Sequence, residues 1–244
     1  MKVFEFQCNP KARKDRFSRI VSSNDLIVAG ELLNALPSNE KFLDAIVDTI
    51  LQEYSNSKNL KQSLKRVNEY LGAEVKKGNV DWLGNFHLAA LSVGIKPKGR
   101  EQFFSLGKCG TIKALISRKG NLIDIDKKVE PNRSFEISSV VSSALFPEDK
   151  VILCSRDLFD AFSDENIFSD IAFFKEEKQF KALFQAKEKI LSKAPGFLVS
   201  ALIEEIRIEK VPLPFLFKQK RDTLKQAIPF ALLIFLLLLG LLLF

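Results

Sequence analysis

The chain opens with an alternating hydrophobic pattern that predicts a β-strand over residues 2–7. Phe4 and Phe6 lie on one face of this strand, and the intervening positions lie on the other. A basic segment, Lys11–Arg19, follows and predicts a turn region. Leu26–Gly30 is a short apolar run that predicts a second strand ending at a glycine. The chain is therefore expected to begin with β-structure.

Two helices are predicted next, because apolar residues recur at helical spacing. Ser38 is a favourable N-cap for the first helix, which breaks at residues 55–57. The second helix ends at Gly78-Asn79 and carries lysines on its polar face. The apolar positions are Phe42, Ala45, Ile46, Ile50 and Leu51, then Leu60, Leu64, Val67, Leu71 and Val75. Because the break is short, we expect an antiparallel helix pair laid on a sheet.

Strand patterns dominate the middle of the chain. The predicted strands are Asn85–Gly94, Gln102–Leu106, Thr111–Arg118 and Leu122–Ile125. Residues 135–145 are rich in polar side chains and are not predicted as a strand. A mostly helical region, Asp164–Lys193, and a final strand, Phe197–Ile208, complete the pattern. Strands and helices segregate rather than alternate, so the predicted fold class is α+β.

One stretch combines a buried strand with a polar turn. Val151–Leu153 is an apolar run, and Ser155 and Asp157 are residues typical of turns and helix caps. A polar turn at the end of a buried strand is a common place for chemistry in layered sheet proteins. This turn is therefore the first candidate for a functional site.

The C-terminal residues 227–244, from Ala227 to Phe244, carry no charge and present leucine on every face. As a helix, about 18 residues rise roughly 27 Å, close to the ~30 Å hydrocarbon core of a bilayer. The alternative, a buried core helix, rarely has such uniform leucine. The basic residues just before this segment are Lys218, Lys220, Arg221 and Lys225. The uncharged segment predicts a single-pass C-terminal membrane anchor, and by the positive-inside rule the basic residues predict that the domain faces the cytoplasm.

Composition limits the classes of function. The 244 residues and the net charge of +7 suit one large domain with an anchor. The positive charge is diffuse, without a long Lys/Arg block, so it favours a surface near anionic lipid over a nucleic-acid partner. The three cysteines, Cys8, Cys109 and Cys154, are far apart and predict neither a disulfide framework nor a zinc site.

Five segments match the motifs of one enzyme family in order. VILCSRDLFDAFSDENI, residues 151–167, is similar to the pattern lllcSDGLwd.ls..ei, and LGKCGTIKAL, residues 106–115, to vGDSraYl. Gly84-Asn85-Phe86 is placed like GtT, LIVAGE (residues 26–31) is similar to fvvaDG, and RKDRF (residues 13–17) to NEDrf. Across roughly residues 2–209, the chain thus resembles the metal-dependent protein phosphatases (PPM), which have the phosphatase 2C-like fold.

The basic residues within 211–226 predict a linker before the membrane segment. The resemblance implies a four-layer α-β-β-α sandwich of two antiparallel sheets over residues 1–210. It also implies an active site at one end of the sandwich. In the family, carboxylates there bind two Mg²⁺ or Mn²⁺ ions, and a bridging water attacks a phosphoserine or phosphothreonine.

The positions of the family's metal carboxylates are occupied differently in this chain. Arg156 stands for the Asp of SDG, and Lys108 stands for the Asp of GDS. An ungapped match places Gly30 at the Asp of aDG, with Glu31 at the glycine. Residues 195–196 hold no carboxylate where the family has a late Asp. Among these matched positions, Asp15 alone keeps a family carboxylate.

These substitutions remove oxygen ligands and add repulsion. Two unit charges 4 Å apart interact by about 4 kcal/mol at an effective dielectric of 20, so a divalent ion facing a cation meets roughly 8 kcal/mol of repulsion. We therefore expect no catalytic metal pair, no cofactor, and a pseudophosphatase that regulates or binds a phosphoprotein or other signalling partner.

Three alternatives remain open at this point. In the first, Asp15, Glu31 and Asp157 converge into a rearranged Mg²⁺ or Mn²⁺ site of an active Ser/Thr phosphatase; otherwise Asp157 caps a helix and Glu31 is solvated. In the second, Lys108 and Arg156 bind phosphate without hydrolysing it; otherwise both face solvent or pair with carboxylates. In the third, the chain is an unrelated α+β adaptor.

Overall fold

The computed structural model describes residues 1–8, 13–95, 101–125, 136–137, 140–191 and 194–205. The chain divides into a unit Met1–Glu205 and a unit Ile206–Phe244. The predicted basic linker and the predicted membrane segment, residues 227–244, lie outside the described residues. Within the described ranges, no helix has both the length and the hydropathy needed to cross a bilayer.

The described strands are β1 Lys2–Cys8, β2 Phe17–Ser22, β3 Leu26–Leu32, β4 Phe86–Ile95, β5 Gln102–Cys109, β6 Lys113–Arg118, β7 Asn121–Asp124, β8 Val140–Leu145, β9 Lys150–Cys154 and β10 Gly196–Leu202. The described helices are α1 Glu40–Ser57, α2 Leu60–Lys76, α3 Arg156–Asp164, α4 Ile167–Phe173, α5 Glu177–Ala186 and α6 Glu188–Leu191. A short 3₁₀ turn, Pro37–Asn39, precedes α1.

The described strands form two antiparallel sheets, ordered β1-β10-β9-β6-β7 and β2-β3-β4-β5-β8. An apolar layer that includes Ala29, Leu91, Leu153 and Val199 lies between them. Helices α1 and α2 cover the outer face of the second sheet through residues such as Ile46 and Val67. The later helices cover the first sheet. The predicted α+β class with two antiparallel sheets is confirmed.

Helix α2 illustrates how the sequence pattern becomes packing. Its buried residues recur every three or four positions, and Asn59 caps its start by accepting a hydrogen bond from the N–H of Gln62. Helix α1 ends at Ser57, and the following residue, Lys58, has a φ of +50° that stops the helix before α2 begins. The predicted antiparallel pair is therefore present, with its apolar faces on one sheet.

Two strands lie where the sequence analysis predicted none. β2 falls partly in the segment interpreted as a basic turn. This segment forms a strand because it pairs with β3, and its Arg19 bonds Asp44 and Asp48 of α1. β8 is an edge strand in the polar-rich segment, and its Ser142 hydroxyl lies 2.8 Å from that of Ser105. On both strands, polar side chains are compatible with β-structure because they face neighbouring polar groups or solvent.

Candidate functional site

One end of the sandwich gathers ionisable side chains from four segments of the chain. Glu31 lies near the end of β3, and its partner across the strand pair is His87 near the start of β4. Arg16 immediately precedes β2, and Asp157 lies in the first turn of α3. Antiparallel pairing brings these strand ends together although the residues are far apart in sequence.

Arg16 joins the two carboxylates of this cluster. Its Nη2 donates to Oε2 of Glu31 at 2.7 Å, and its Nη1 donates to Oδ2 of Asp157 at 2.6 Å. The side chains of Arg16 and Glu31 are only 4% and 1% exposed, whereas Asp157 is 48% exposed. The guanidinium therefore bridges a carboxylate inside the protein and a carboxylate at its surface.

Burial dominates the electrostatics of the inner ion pair. It raises the pKa of Glu31 above its usual value, and the Arg16 guanidinium opposes that rise. Oε1 of Glu31 and Nε of Arg16 are buried and have no hydrogen-bond partner within the described part of the chain. The inner pair is thus held by one short charge-assisted hydrogen bond, and a second such bond joins Arg16 to Asp157, so the network is not fully satisfied.

Neighbouring positions on β3 explain why Glu31 reaches this cluster. Side chains alternate between the two faces of a strand. At Gly30, a Cβ would lie 2.8 Å from Cδ1 of Leu43 on α1, so this position faces the helix layer. Glu31 faces the opposite side. The ungapped family match placed Gly30 at the metal-binding carboxylate, whereas the chain supplies its carboxylate one residue later.

His87 is buried and forms a hydrogen bond with the backbone of a neighbouring turn. Its pKa is lowered to about 4, first because burial disfavours the imidazolium and then because Arg16 is close. Its Nδ1 accepts a hydrogen bond of 3.1 Å from the N–H of Thr111, in the turn between β5 and β6. The neutral imidazole therefore connects the start of β4 to that turn.

The turn after β9 is fixed by Ser155. This residue is fully buried, and its hydroxyl oxygen accepts a hydrogen bond of 3.1 Å from the N–H of Phe197 on β10. Gly196 approaches so closely that a Cβ there would lie 1.9 Å from Oγ of Ser155. Ser155 thus joins two strands, and the start of α3 that follows it aims Asp157 at Arg16.

The other residues singled out from the sequence bond other partners than those of the Arg16 bridge. Asp15 is half exposed and accepts two hydrogen bonds from Arg13, at 3.1 and 2.9 Å. Lys108 is buried, and its ammonium donates to the carbonyl of Ile112. Arg156 is exposed and pairs with Asp160 one helical turn later, at 2.8 Å. The three candidate carboxylates therefore do not converge as a set: Glu31 and Asp157 meet at Arg16, and Asp15 pairs elsewhere.

Arg16 is the residue that sequence reasoning missed. In the sequence it is one of several cations in a basic segment, and nothing in the local pattern separates it from Arg13 or Lys14. A signal existed at Glu31, because a carboxylate inside an apolar strand needs a cationic partner when it is buried. That requirement predicts a partner but not its position in the chain.

The oxygen atoms at this end of the sandwich differ from the ligand set that a divalent metal ion needs. Mg²⁺ and Mn²⁺ take several hard oxygen ligands, whereas one oxygen of Glu31 and one oxygen of Asp157 bond Arg16. Within the described residues, no three His, Cys, Asp or Glu side chains form a group suited to a metal ion. The arrangement does not fit the two-metal centre that the family resemblance implies.

Comparison with solved structures identifies the architecture. PppA, "a key regulatory component of T6SS in Pseudomonas aeruginosa", matches with a TM-score of 0.58 at 15% identity, over 82% of this chain and 95% of its own. The serine/threonine phosphatase PstP/Ppp of Mycobacterium tuberculosis matches with a TM-score of 0.58 at 15% identity, over 83% and 97%. The serine/threonine phosphatase Stp1 of Staphylococcus aureus matches with a TM-score of 0.57 at 14% identity, over 83% and 94%.

The chain has the PPM phosphatase fold. The matches span nearly the whole length of each of these structures, so the similarity covers a complete domain rather than a shared motif. No protein-family model and no curated sequence matches the chain. The similarity to the PPM fold is therefore one of architecture, and the chemistry has to be argued from the residues of this chain.

Proposed function

We propose that this chain is a pseudophosphatase: a PPM-fold domain that binds a phosphoprotein or another signalling protein instead of hydrolysing it. The observation that carries the proposal is the Arg16 guanidinium, which lies between the carboxylates of Glu31 and Asp157. A metal ion at those oxygens would have to displace a cation that is itself almost completely buried.

Electrostatic repulsion supports this proposal. A divalent ion 4 Å from a guanidinium meets roughly 8 kcal/mol of repulsion at an effective dielectric of 20. Arg156 and Lys108 add further positive charge at positions where the family resemblance implies aspartate. The regulatory part of the proposal is also compatible with the neighbour PppA, which is described as a regulatory component.

Arg156 is the better of the two proposed phosphate-binding residues. It is exposed, and its ion pair with Asp160 is a surface pair of a kind that contributes only about 0–1 kcal/mol. An incoming phosphate can therefore compete for the guanidinium at little cost, with bidentate geometry. Lys108 is buried, and its ammonium group already donates to a backbone carbonyl in the turn between β5 and β6. It is therefore less available to a phosphate than Arg156 is.

Membrane attachment is the second part of the proposal. Residues 227–244 form an uncharged stretch of about 18 residues, long enough as a helix to approach the thickness of the hydrocarbon core. The basic residues before it favour a cytoplasmic location for the domain. A single-pass anchor would concentrate the binding domain at the cytoplasmic surface of the membrane.

The catalytic part is tested with the full chain in detergent micelles. We expect no Mn²⁺-dependent release of phosphate from a phosphoserine peptide, and no saturable Mn²⁺ binding by electron paramagnetic resonance. The alternative, an active Mg²⁺- or Mn²⁺-dependent phosphatase, predicts turnover that Asp157→Asn abolishes. Asp164→Asn, at the exposed end of α3, is the matched control and should have no effect in either case.

The binding part is tested with the same peptide and its unphosphorylated form. Arg156→Ala should weaken binding of the phosphopeptide about tenfold or more, because it removes a charge-assisted contact of about 1.5–3 kcal/mol. Lys61→Ala, which removes an exposed cation on α2, is the control. If Arg156→Ala leaves the affinity unchanged while the fold is intact, Arg156 is not the phosphate site.

A further inference from the structure

The end of the sandwich opposite the candidate site carries a groove of about 460 Å³, which we call the distal groove. The turn between β6 and β7, the loop between β8 and β9, and the end of α4 form it. The residues that matter here are Arg118, Lys119, Phe146, Lys150, Phe173 and Lys175. The register pairs Ser117 with Lys150 at this end and Lys113 with Cys154 at the other, so the length of β9 separates the groove from the candidate site.

Aromatic side chains on the rim of the distal groove are exposed to solvent. Phe173 is 71% exposed and Phe146 is 53% exposed, and Leu122 and Ile123 on the neighbouring edge strand β7 are exposed as well. The Arg118 guanidinium lies 4.5 Å from the centre of the Phe146 ring. Exposed apolar groups clustered beside polar ones mark surfaces that bind a partner.

Cations line the same groove as these aromatic rings. Arg118 pairs with Asp149, and Lys175 pairs with Glu148. Lys150 is buried beneath the groove and donates to the carbonyls of Ile171 and Ala172. The exposed Lys119 at the turn has no acidic partner among the residues the structure describes. The six groove residues named above therefore carry more positive charge than the two acids balance.

The chain leaves the described unit beside the distal groove. The N–H of Ile203 donates to the carbonyl of Asp149, and the N–H of Glu148 donates to the carbonyl of Ile203, both at 2.8 Å. Glu205, two residues later, is the last residue of this unit. About 20 residues separate this point from residue 227, and such a segment spans at most about 70 Å when fully extended.

We propose that the distal groove and its aromatic rim contact the surface of an anionic phospholipid bilayer. This proposal rests on the proposed membrane attachment, because a tether that starts beside the groove gives this surface a high effective concentration of lipid. Exposed phenylalanine rings suit the boundary between headgroups and acyl chains, and lysine and arginine suit anionic headgroups. The candidate site, at the other end of β9, then faces away from the bilayer.

The experiment follows amide hydrogen exchange in the full chain reconstituted in phospholipid nanodiscs. One set contains phosphatidylcholine alone, and the other contains phosphatidylcholine with phosphatidylglycerol. We expect exchange in residues 117–124, 146–149 and 172–175 to slow at least fivefold in the anionic discs. Exchange at the other end of the sandwich, in residues 33–36 and 80–85, should be the same in both.

Two variants test whether the groove residues cause this protection. Phe173→Ser removes the more exposed of the two aromatic rings on the rim, and Lys119→Glu reverses an exposed charge, so each should abolish the lipid-dependent slowing. Leu83→Ser and Lys61→Glu make the same kinds of change at exposed positions elsewhere and are the matched controls. Loss of the slowing in the controls as well would contradict a specific surface.

The outcomes separate the groove from the anchor. Flotation with lipid vesicles of the same two compositions tests the anchor separately. If the chain floats with both compositions but shows no protection at the groove, the docking proposal is overturned and the anchor is left intact. A chain that floats with neither composition contradicts the anchor and the docking proposal together. Protection that is equal in neutral discs, anionic discs and detergent means that another segment of this chain covers the groove, and this result also overturns lipid docking.

Discussion

Arg16 is a cation held almost wholly out of water between two carboxylates that differ in exposure. Removing an ion from water costs several kcal/mol, and a partner at short distance offsets that cost. Glu31 has the same dependence on Arg16, since its carboxylate is completely buried. Neither group is stable inside the protein without the other, so the two act as a unit.

Truncation of Arg16 should therefore be costly, and a second substitution should reverse much of the cost. Arg16→Met is expected to reduce the free energy of unfolding by about 3–5 kcal/mol, because it leaves the Glu31 charge buried and unpaired. Arg16→Met with Glu31→Gln should lose much less than the sum of the single changes. Urea unfolding followed by the fluorescence of Trp82, the single tryptophan, measures all variants.

The exposed pair of Arg13 and Asp15 is the control for this double-mutant cycle. Arg13→Met should change the free energy of unfolding far less than Arg16→Met does, since solvent already screens that pair. Equal losses for Arg13→Met and Arg16→Met would mean that burial does not determine the strength of the Arg16 bridge.

The buried imidazole of His87 predicts how stability depends on pH. Its pKa falls from 6.5 to about 4 in the folded protein, so between these values the unfolded chain binds a proton that the folded chain does not. The stabilisation is fully present above pH 6.5 and is lost as the pH falls toward about 4. We expect the free energy of unfolding to drop by roughly 2 kcal/mol between pH 7 and pH 5.

His87→Gln should flatten this dependence, because glutamine keeps an acceptor for the N–H of Thr111 but does not titrate. Glu31 works in the opposite direction, since its raised pKa favours the folded state on acidification. Urea unfolding at the two pH values measures the slope for both proteins. An equally steep slope in His87→Gln would assign the dependence to other groups.

At the scale of elements, the contact between the α3 turn and the start of β10 positions the candidate site. Gly196 adopts a φ of +150°, and a Cβ there would collide with Oγ of Ser155 at 1.9 Å. This contact fixes where α3 begins, and hence where Asp157 lies relative to Arg16. Glycine is required at position 196 because β10 approaches the turn after β9 so closely.

Gly196→Ala should destabilise the protein by more than about 2 kcal/mol, because backbone strain adds to the steric collision. Adding Ser155→Gly should recover part of this loss by removing the colliding atom. Gly72→Ala in α2, where a Cβ would meet nothing within 4 Å, should instead stabilise by about 0.5–1 kcal/mol. Thermal unfolding by circular dichroism compares the three variants, and similar effects of Gly196→Ala and Gly72→Ala would contradict the steric account.

Elements with strong periodicity were predictable from the sequence, and elements defined by their partners were not. The spacing of Leu64, Val67 and Leu71 predicts α2 because one apolar face is buried along its whole length. β2 carries Arg19 and only partly buried residues, so its pattern lacks a continuous apolar face. Its strand structure depends on pairing with β3 and on acids of α1, which lie far away in the sequence.

At the scale of the whole molecule, the layers could be predicted from the order of elements, but the chemistry of the site could not. Glu31 and Asp157 were candidates from motif matching alone, with Asp15 as the third member. The fold brings the first two together and places the third with Arg13. Arg16 was not a candidate, because the close approach of β2, β3 and α3 is a property of the tertiary structure.

The two ends of the sandwich also differ in a way that the sequence alone does not reveal. One end buries an ion pair between the sheets, and the other exposes phenylalanine rings beside the point where the described chain ends. The residues of each end are scattered along the chain, from Arg16 to Asp157 and from Arg118 to Lys175. Only the antiparallel register separates them into two surfaces.

A cation that belongs to the polypeptide has no dissociation constant. The guanidinium of Arg16 cannot be removed by a chelator, exchanged for a competing ion, or depleted when a cell lowers its supply of divalent metals. The Glu31–Arg16–Asp157 bridge is complete as soon as the domain has folded, with a stoichiometry of one in every molecule. In the proposed pseudophosphatase, this end of the sandwich therefore presents the same charge pattern under metal starvation and metal excess.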